Sequence, residues 1–156
     1  MAKAFIEYNF QKGFITFEFN EKDISDNQEL IKDSMRKIKE LNITTVCDQF
    51  TGKYMTIESL SRLGFSEVKI ARSLVMEMDT NPNRLNEIKS LLQLARTFNM
   101  KTTLVGVERR EQVNLVMEEE GITNFEGWYF FKPLEIDEFL ALLRNSSSKS
   151  FLGNKK

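Results

Sequence analysis

No histidine occurs anywhere in the chain. That absence excludes Ser-His and Cys-His nucleophile systems and every His-ligated metal site. Cysteine is nearly absent too: Cys47 stands alone, so no internal disulfide can form and a zinc site has almost nothing to be built from. With no signal peptide visible, a lone thiol points to a reducing cytoplasm. No apolar run approaches the ~20 residues that a membrane span needs. Strong charge of either sign is also missing; a net charge of -1 gives no field for a nucleic-acid polymer. What is present is an ordinary soluble composition, 41% hydrophobic and 29% charged, at a length that one domain with a real core can fill.

The pattern along the chain alternates strands with helices. Ala4–Phe10 and Phe14–Asn20 read as strands joined by Gln11-Lys12-Gly13, an N-terminal β-hairpin. The second strand puts Thr16, Glu18 and Asn20 on one face. Ser25 and Gln28 form a capping box for a helix to about Leu41, with Ile31, Met35 and Ile38 at helical spacing. The strand Ile43–Asp48 follows, then a helix over Thr56–Leu63 stopped by Gly64, and the strand Glu67–Ile70. A helical turn over Arg72–Met78, a helix over Arg84–Phe98, a strand over Lys101–Val107 and a helix over Arg110–Glu119 come next. A strand around Thr123–Gly127 precedes Trp128-Tyr129-Phe130-Phe131, read as core and barrel rim, with a partner surface as the alternative. After Pro133 the last helix turns Ile136, Phe139, Leu140 and Leu143 inward. Repeated strand–helix units predict an α/β fold with a parallel sheet, either open or part of a (β/α) barrel. One domain is expected over residues 1–145, and a flexible C-terminal tail over 146–156.

Five fragments carry a resemblance. They are Glu18-Phe19-Asn20-Glu21, Asp48-Gln49-Phe50-Thr51-Gly52-Lys53-Tyr54, Lys69-Ile70-Ala71, Val105-Gly106-Val107-Glu108 and Glu126-Gly127-Trp128-Tyr129-Phe130-Phe131-Lys132-Pro133. In that order and with those elements between them, the chain resembles the C-terminal half of an EAL domain, the barrel phosphodiesterase of bacterial cyclic di-GMP signalling. The resemblance implies a partial (β/α) TIM-barrel-like fold of about five to six mostly parallel strands with helices on the outer face. In such a domain, carboxylate-held metal ions activate a water that attacks a phosphodiester. Glu18, Asp48, Lys69 and Glu108 match site positions of the family.

Four positions depart from it. Gln49 stands for the second aspartate of D-D-F and Ala71 for the aspartate of K-I-D. Val105 stands for the glutamate of E-G-V-E and Glu126 for the glutamine of Q-G-Y. Valine can neither bind a metal nor take a proton, and a neutral amide is a poor substitute for a carboxylate. The strands bearing the E-A-L motif would precede Glu18 by more residues than the chain has. The expectation is therefore a degenerate, non-catalytic protein with no catalytic residue, no metal site and no cofactor, acting in bacterial regulation through a protein partner or self-association as a homodimer. The alternative is a cyclic di-GMP receptor, or a residual phosphodiesterase using Mg²⁺ or Mn²⁺, completed by a second chain. On the plainest reading Glu18 pairs with Lys69, Asp48 caps its loop and Cys47 is a small core residue. A barrel of so few strands cannot close, which leaves its inner face uncovered.

Overall fold

The computed structural model describes residues 14–41 and 43–146, without the side chains of 145 and 146. The expected hairpin partner Ala4–Phe10, the Gln11-Lys12-Gly13 link and residues 147–156 of the expected tail lie outside the described residues. Five parallel strands form one sheet in chain order, β1 (Thr16–Asn20), β2 (Thr44–Phe50), β3 (Glu67–Ile70), β4 (Lys101–Val105) and β5 (Asn124–Glu126). Helices α1 (Glu21–Asp26), α2 (Gln28–Glu40), α3 (Ile57–Leu63), α4 (Arg72–Val75), α5 (Pro82–Thr97), α6 (Arg110–Val116) and α7 (Ile136–Ser146) fill the connections and the end. This is the expected partial (β/α) arrangement.

Local chemistry sets the boundaries. The Asn20 side chain accepts from Lys22 N and opens α1 directly at the end of β1, so Ser25 lies inside a helix and caps nothing. The expected single helix is instead two, divided at Asn27, whose extended φ of -130° departs from helical geometry. Thr56 caps α3, and Gly64 closes it in the left-handed conformation, φ 100°, that favours glycine. Helix α5 begins at Pro82, two residues before the expected Arg84, because Asn81 supplies the cap and proline is at home in the first turn.

Period-2 alternation sorts the strand residues onto two faces. Phe17, Phe19, Cys47, Val68, Ile70, Leu104 and Phe125 lie under the helices, against Leu60, Ile88, Leu92 and Val116. The other face pairs Glu18 with Val46, Val46 with Glu67 and Glu67 with Lys101, then Lys69 with Thr103 and Val105 with Glu126. Thr103 Oγ1 donates to Glu67 Oε1 at 2.6 Å, and Asn124 lies 3.4 Å from that hydroxyl. The face a barrel would close upon is thus mainly polar here. Uncovered apolar surface lies elsewhere, and this corrects the sequence expectation. Trp128, Tyr129, Phe130 and Phe131 are exposed, Trp128 to 61%, as are Ile136 (66%), Phe139, Leu140 and Leu143 of α7. The amphipathic spacing of α7 marks a face to be covered, yet these four side chains stay 39 to 66% exposed.

A bidentate pair ties the turn after α4 to the start of α6. Arg109 donates from Nε to Asp79 Oδ2 at 2.6 Å and from Nη2 to Oδ1 at 2.7 Å, and Nη2 also reaches the Met76 carbonyl at 2.8 Å. The guanidinium holds the Asp79 carboxyl below its ordinary value, against the opposing effect of burial. A carboxylate with a depressed folded pKa contributes stability that is present above its unfolded pKa, about 4, and lost as pH falls through the folded value. Asp79→Asn is therefore expected to lower the melting temperature at neutral pH. The gap from wild type should stay constant down to about pH 5 and close in stronger acid, when thermal unfolding is followed across a pH series.

Candidate functional site

The C-terminal ends of parallel strands share one edge, where α/β folds gather polar chemistry. Lys69 stands on β3, with its side chain 14% exposed, between two carboxylates: Nζ lies 2.6 Å from Glu18 Oε1 and 3.1 Å from Glu126 Oε1. Burial pulls the Lys69 pKa down, but hydrogen bonds to Glu18 and Glu126 outweigh it and the net direction is up. The ammonium is thus charged throughout the neutral range. Glu126, a departure from the family pattern, becomes part of a three-residue ionic bridge from β1 to β5.

Beside this bridge, two clefts of about 500 and 360 Å³ share Arg72 and Val105. Glu108, Glu126 and Trp128 line the larger, and Asp48, Gln49 and Ala71 line the smaller. Arg72 Nη2 donates to Glu108 Oε1 at 2.6 Å. Gly106, φ 82°, makes room for it: a Cβ there would lie 2.2 Å from Arg72 Cγ. All eight positions singled out in the sequence therefore stand at this edge or face it. Asp48 faces the smaller cleft, while the N–H groups of its loop go to another acid, Glu21. The Glu21 carboxylate is 1% exposed and accepts from Thr51 N, Thr51 Oγ1, Tyr54 N and Met55 N at 2.8 to 3.1 Å. Gln49, within the strand irregularity between Cys47 and Phe50, has a left-handed φ of 53°, uncommon for a residue with a side chain.

Sequence reasoning missed Arg72 and Glu21. The signal for Arg72 was its place two residues after the end of the Lys69 strand; for Glu21 it was the second acid of Glu18-Phe19-Asn20-Glu21. Cys47 is buried, and desolvation first, then the charges of Glu21 and Asp48, push its thiol far up, so it is no nucleophile.

The profile of the EAL domain family matches residues 1–133. The chain belongs to the EAL domain family. The cyclic di-GMP phosphodiesterase RocR of Pseudomonas aeruginosa is 25% identical over 135 residues, 86% of this chain and 34% of RocR. The solved PaMucR phosphodiesterase, in complex with c-di-GMP, superposes with a TM-score of 0.80 at 20% identity, over 88% of this chain and 56% of that one. Klebsiella pneumoniae BlrP1, solved with manganese and cyclic di-GMP, gives 0.75 at 16% identity, over 84% of this chain and 33% of that one. The chain thus spans about a third of RocR and little more than half of the PaMucR structure.

These kinships correct two expectations. The expectation of no enzyme is overturned by relatives that are phosphodiesterases, and the expectation of no cofactor by a family member holding manganese. The physical reason is one of scope: the lost positions were counted in a segment that spans only part of the domain, so they say little about the whole ligand set. Carboxylates of Glu18 and Asp48 suit a hard divalent cation. Their number does not: among the described residues no three Asp, Glu, Cys or His side chains gather to hold an ion, and Glu18 is already engaged with Lys69. This segment alone does not fit a complete metal centre. Among the described residues no helix is long and apolar enough to cross a membrane.

Proposed function

We propose that this chain supplies the C-terminal half of a cyclic di-GMP phosphodiesterase site, which a second polypeptide completes by protein–protein contact. The observation that carries it is the Lys69 bridge between Glu18 and Glu126, with Arg72 beside it and Trp128 at the cleft wall. A cyclic dinucleotide presents two phosphodiester anions and two flat bases. Lys69 and Arg72 offer cations to the phosphates, and an exposed indole offers a stacking surface to a base. In this reading residues 1–145 form one domain, and the completing polypeptide adds the ion ligands that Glu18 and Asp48 lack. The exposed apolar side chains from Trp128 to Leu143 favour such a contact, because a patch of that kind is costly in water. A second copy of the chain is one form the contact can take. The single reduced thiol fits a reducing cytoplasm.

The test is calorimetric titration with cyclic di-GMP, with and without MnCl₂, on a sample whose mass in solution is known. Saturable binding is expected, and Lys69→Met should weaken it by about tenfold or more, since removing the cation leaves two facing carboxylates to repel the phosphates. A folded sample that gives no heat under either condition, or a Lys69→Met variant that binds like wild type, would overturn the proposal.

A further inference from the structure

The opposite end of the sheet, where the strands begin, holds a groove of about 570 Å³ between α2 and α3. Four cations line it: Lys32, Arg36 and Lys39 of α2 and Arg62 of α3, with no carboxylate among the lining residues. Positions 32, 36 and 39 are four and three apart, so they share one flank of the helix. Lys39 and Arg62 stand in last turns, where cations offset the negative end of the helix dipole. That accounts for two of the four. Lys32 and Arg36 lie further in and gain little from the dipole.

Their counter-ions are few. Arg62 has Glu58 at 2.5 Å, and Arg36 has Asp33 only at 3.7 Å with both side chains about three-quarters exposed. Among the described residues no ion pair engages Lys32 or Lys39. Like charges gathered on one flank destabilise the fold slightly unless an anion joins them, and the chain as a whole carries a net charge of -1. The groove is also open beside the backbone, for a Cβ built at Gly64 meets nothing within 4 Å. Its volume falls within the ordinary range for small-molecule sites.

We propose that this groove is a second anion site, separate from the Lys69 edge, for a ligand bearing a chain of phosphates. Cations from two helices around an open cavity suit several phosphate groups better than one, because each group can meet a different cation. The ligand is either a free polyphosphate or a nucleotide, and the two are separated by experiment.

The full chain is titrated calorimetrically with tripolyphosphate and, separately, with GTP. Saturable binding of at least one is expected, near one per chain, and weakened by about tenfold or more in the double variant Lys32→Glu/Arg36→Glu. Its circular dichroism and cyclic di-GMP titration should match wild type, and Lys69→Met should leave groove binding unchanged. GTP binding more tightly than tripolyphosphate identifies a nucleotide; equal affinities identify the phosphate chain alone. No saturable heat from either compound, or binding that the double variant leaves intact, would overturn the site. So would equal loss in Lys69→Met, which would place the anion at the other edge.

Discussion

Glu21→Ala should lower the melting temperature by roughly 6–12 °C, the equivalent of about 3 kcal/mol for a chain of this size. The two carboxylate oxygens of Glu21 divide their work: Oε2 accepts from Thr51 N at 2.9 Å and Thr51 Oγ1 at 2.8 Å, and Oε1 from Tyr54 N at 3.1 Å and Met55 N at 3.0 Å. Alanine would leave three backbone N–H groups and one hydroxyl without this acceptor, the Met55 N–H in a buried place and the others half-buried. Each orphaned donor costs about 1–3 kcal/mol when it stays dry, and partial opening of the loop keeps the total well below the sum. Glu21→Gln separates charge from shape, since its amide keeps one accepting oxygen but turns an N–H towards donors. It should fall between wild type and alanine. Because the same loop continues from Asp48 and Gln49, cyclic di-GMP affinity should fall together with stability. Thermal unfolding by circular dichroism decides the matter, and an unchanged melting temperature for Glu21→Ala would refute this account of the loop.

A larger loss is expected at Gly127. Backbone groups from β4 and β5 cross there: Gly106 N and Val107 N both donate to the Glu126 carbonyl, and Tyr129 N donates to the Val107 carbonyl at 3.0 Å. A Cβ on residue 127 would lie 2.0 Å from the Val107 carbonyl oxygen and 2.4 Å from its nitrogen. Main chain cannot step aside as a side-chain tip can, so Gly127→Ala must separate the strands. The expected cost is about 4 kcal/mol or more, in the exceptional range for single substitutions. Glu126 would move with the strand and Lys69 would lose one of its two acids. Gly64→Ala is the contrast: nothing lies within 4 Å, so only the left-handed backbone conformation is penalised, at about 1–2 kcal/mol. Urea unfolding of the two variants side by side should show that order, and equal midpoints would remove the close approach as its cause.

The strands were legible because their residues repeat with period 2 and are bounded by helix ends, as at Glu67–Ile70 between the Gly64 cap and the helix that begins at Arg72. Lys69 and Glu18 were legible as a pair because parallel strands bring alternate residues onto one face. Glu21 was not, since a carboxylate that serves a loop thirty residues on leaves no periodic trace. The Asp79–Arg109 pair was hidden for the same reason. The exposure of α7 could not be read either, because helical spacing shows that a face is apolar without showing what lies against it. The polar inner face was in principle readable: Glu18, Glu67, Lys69, Lys101 and Thr103 follow from strand parity once the register is known.

Cys47, sealed between β2 and the covering helices with its proton held on, has a further consequence. An alkylating reagent can reach the sulfur only while β2 stands apart from the helices that cover it. The rate of modification therefore counts how often the middle of the protein opens. With no other thiol in the chain, the natural sequence carries a single-site reporter of its own breathing.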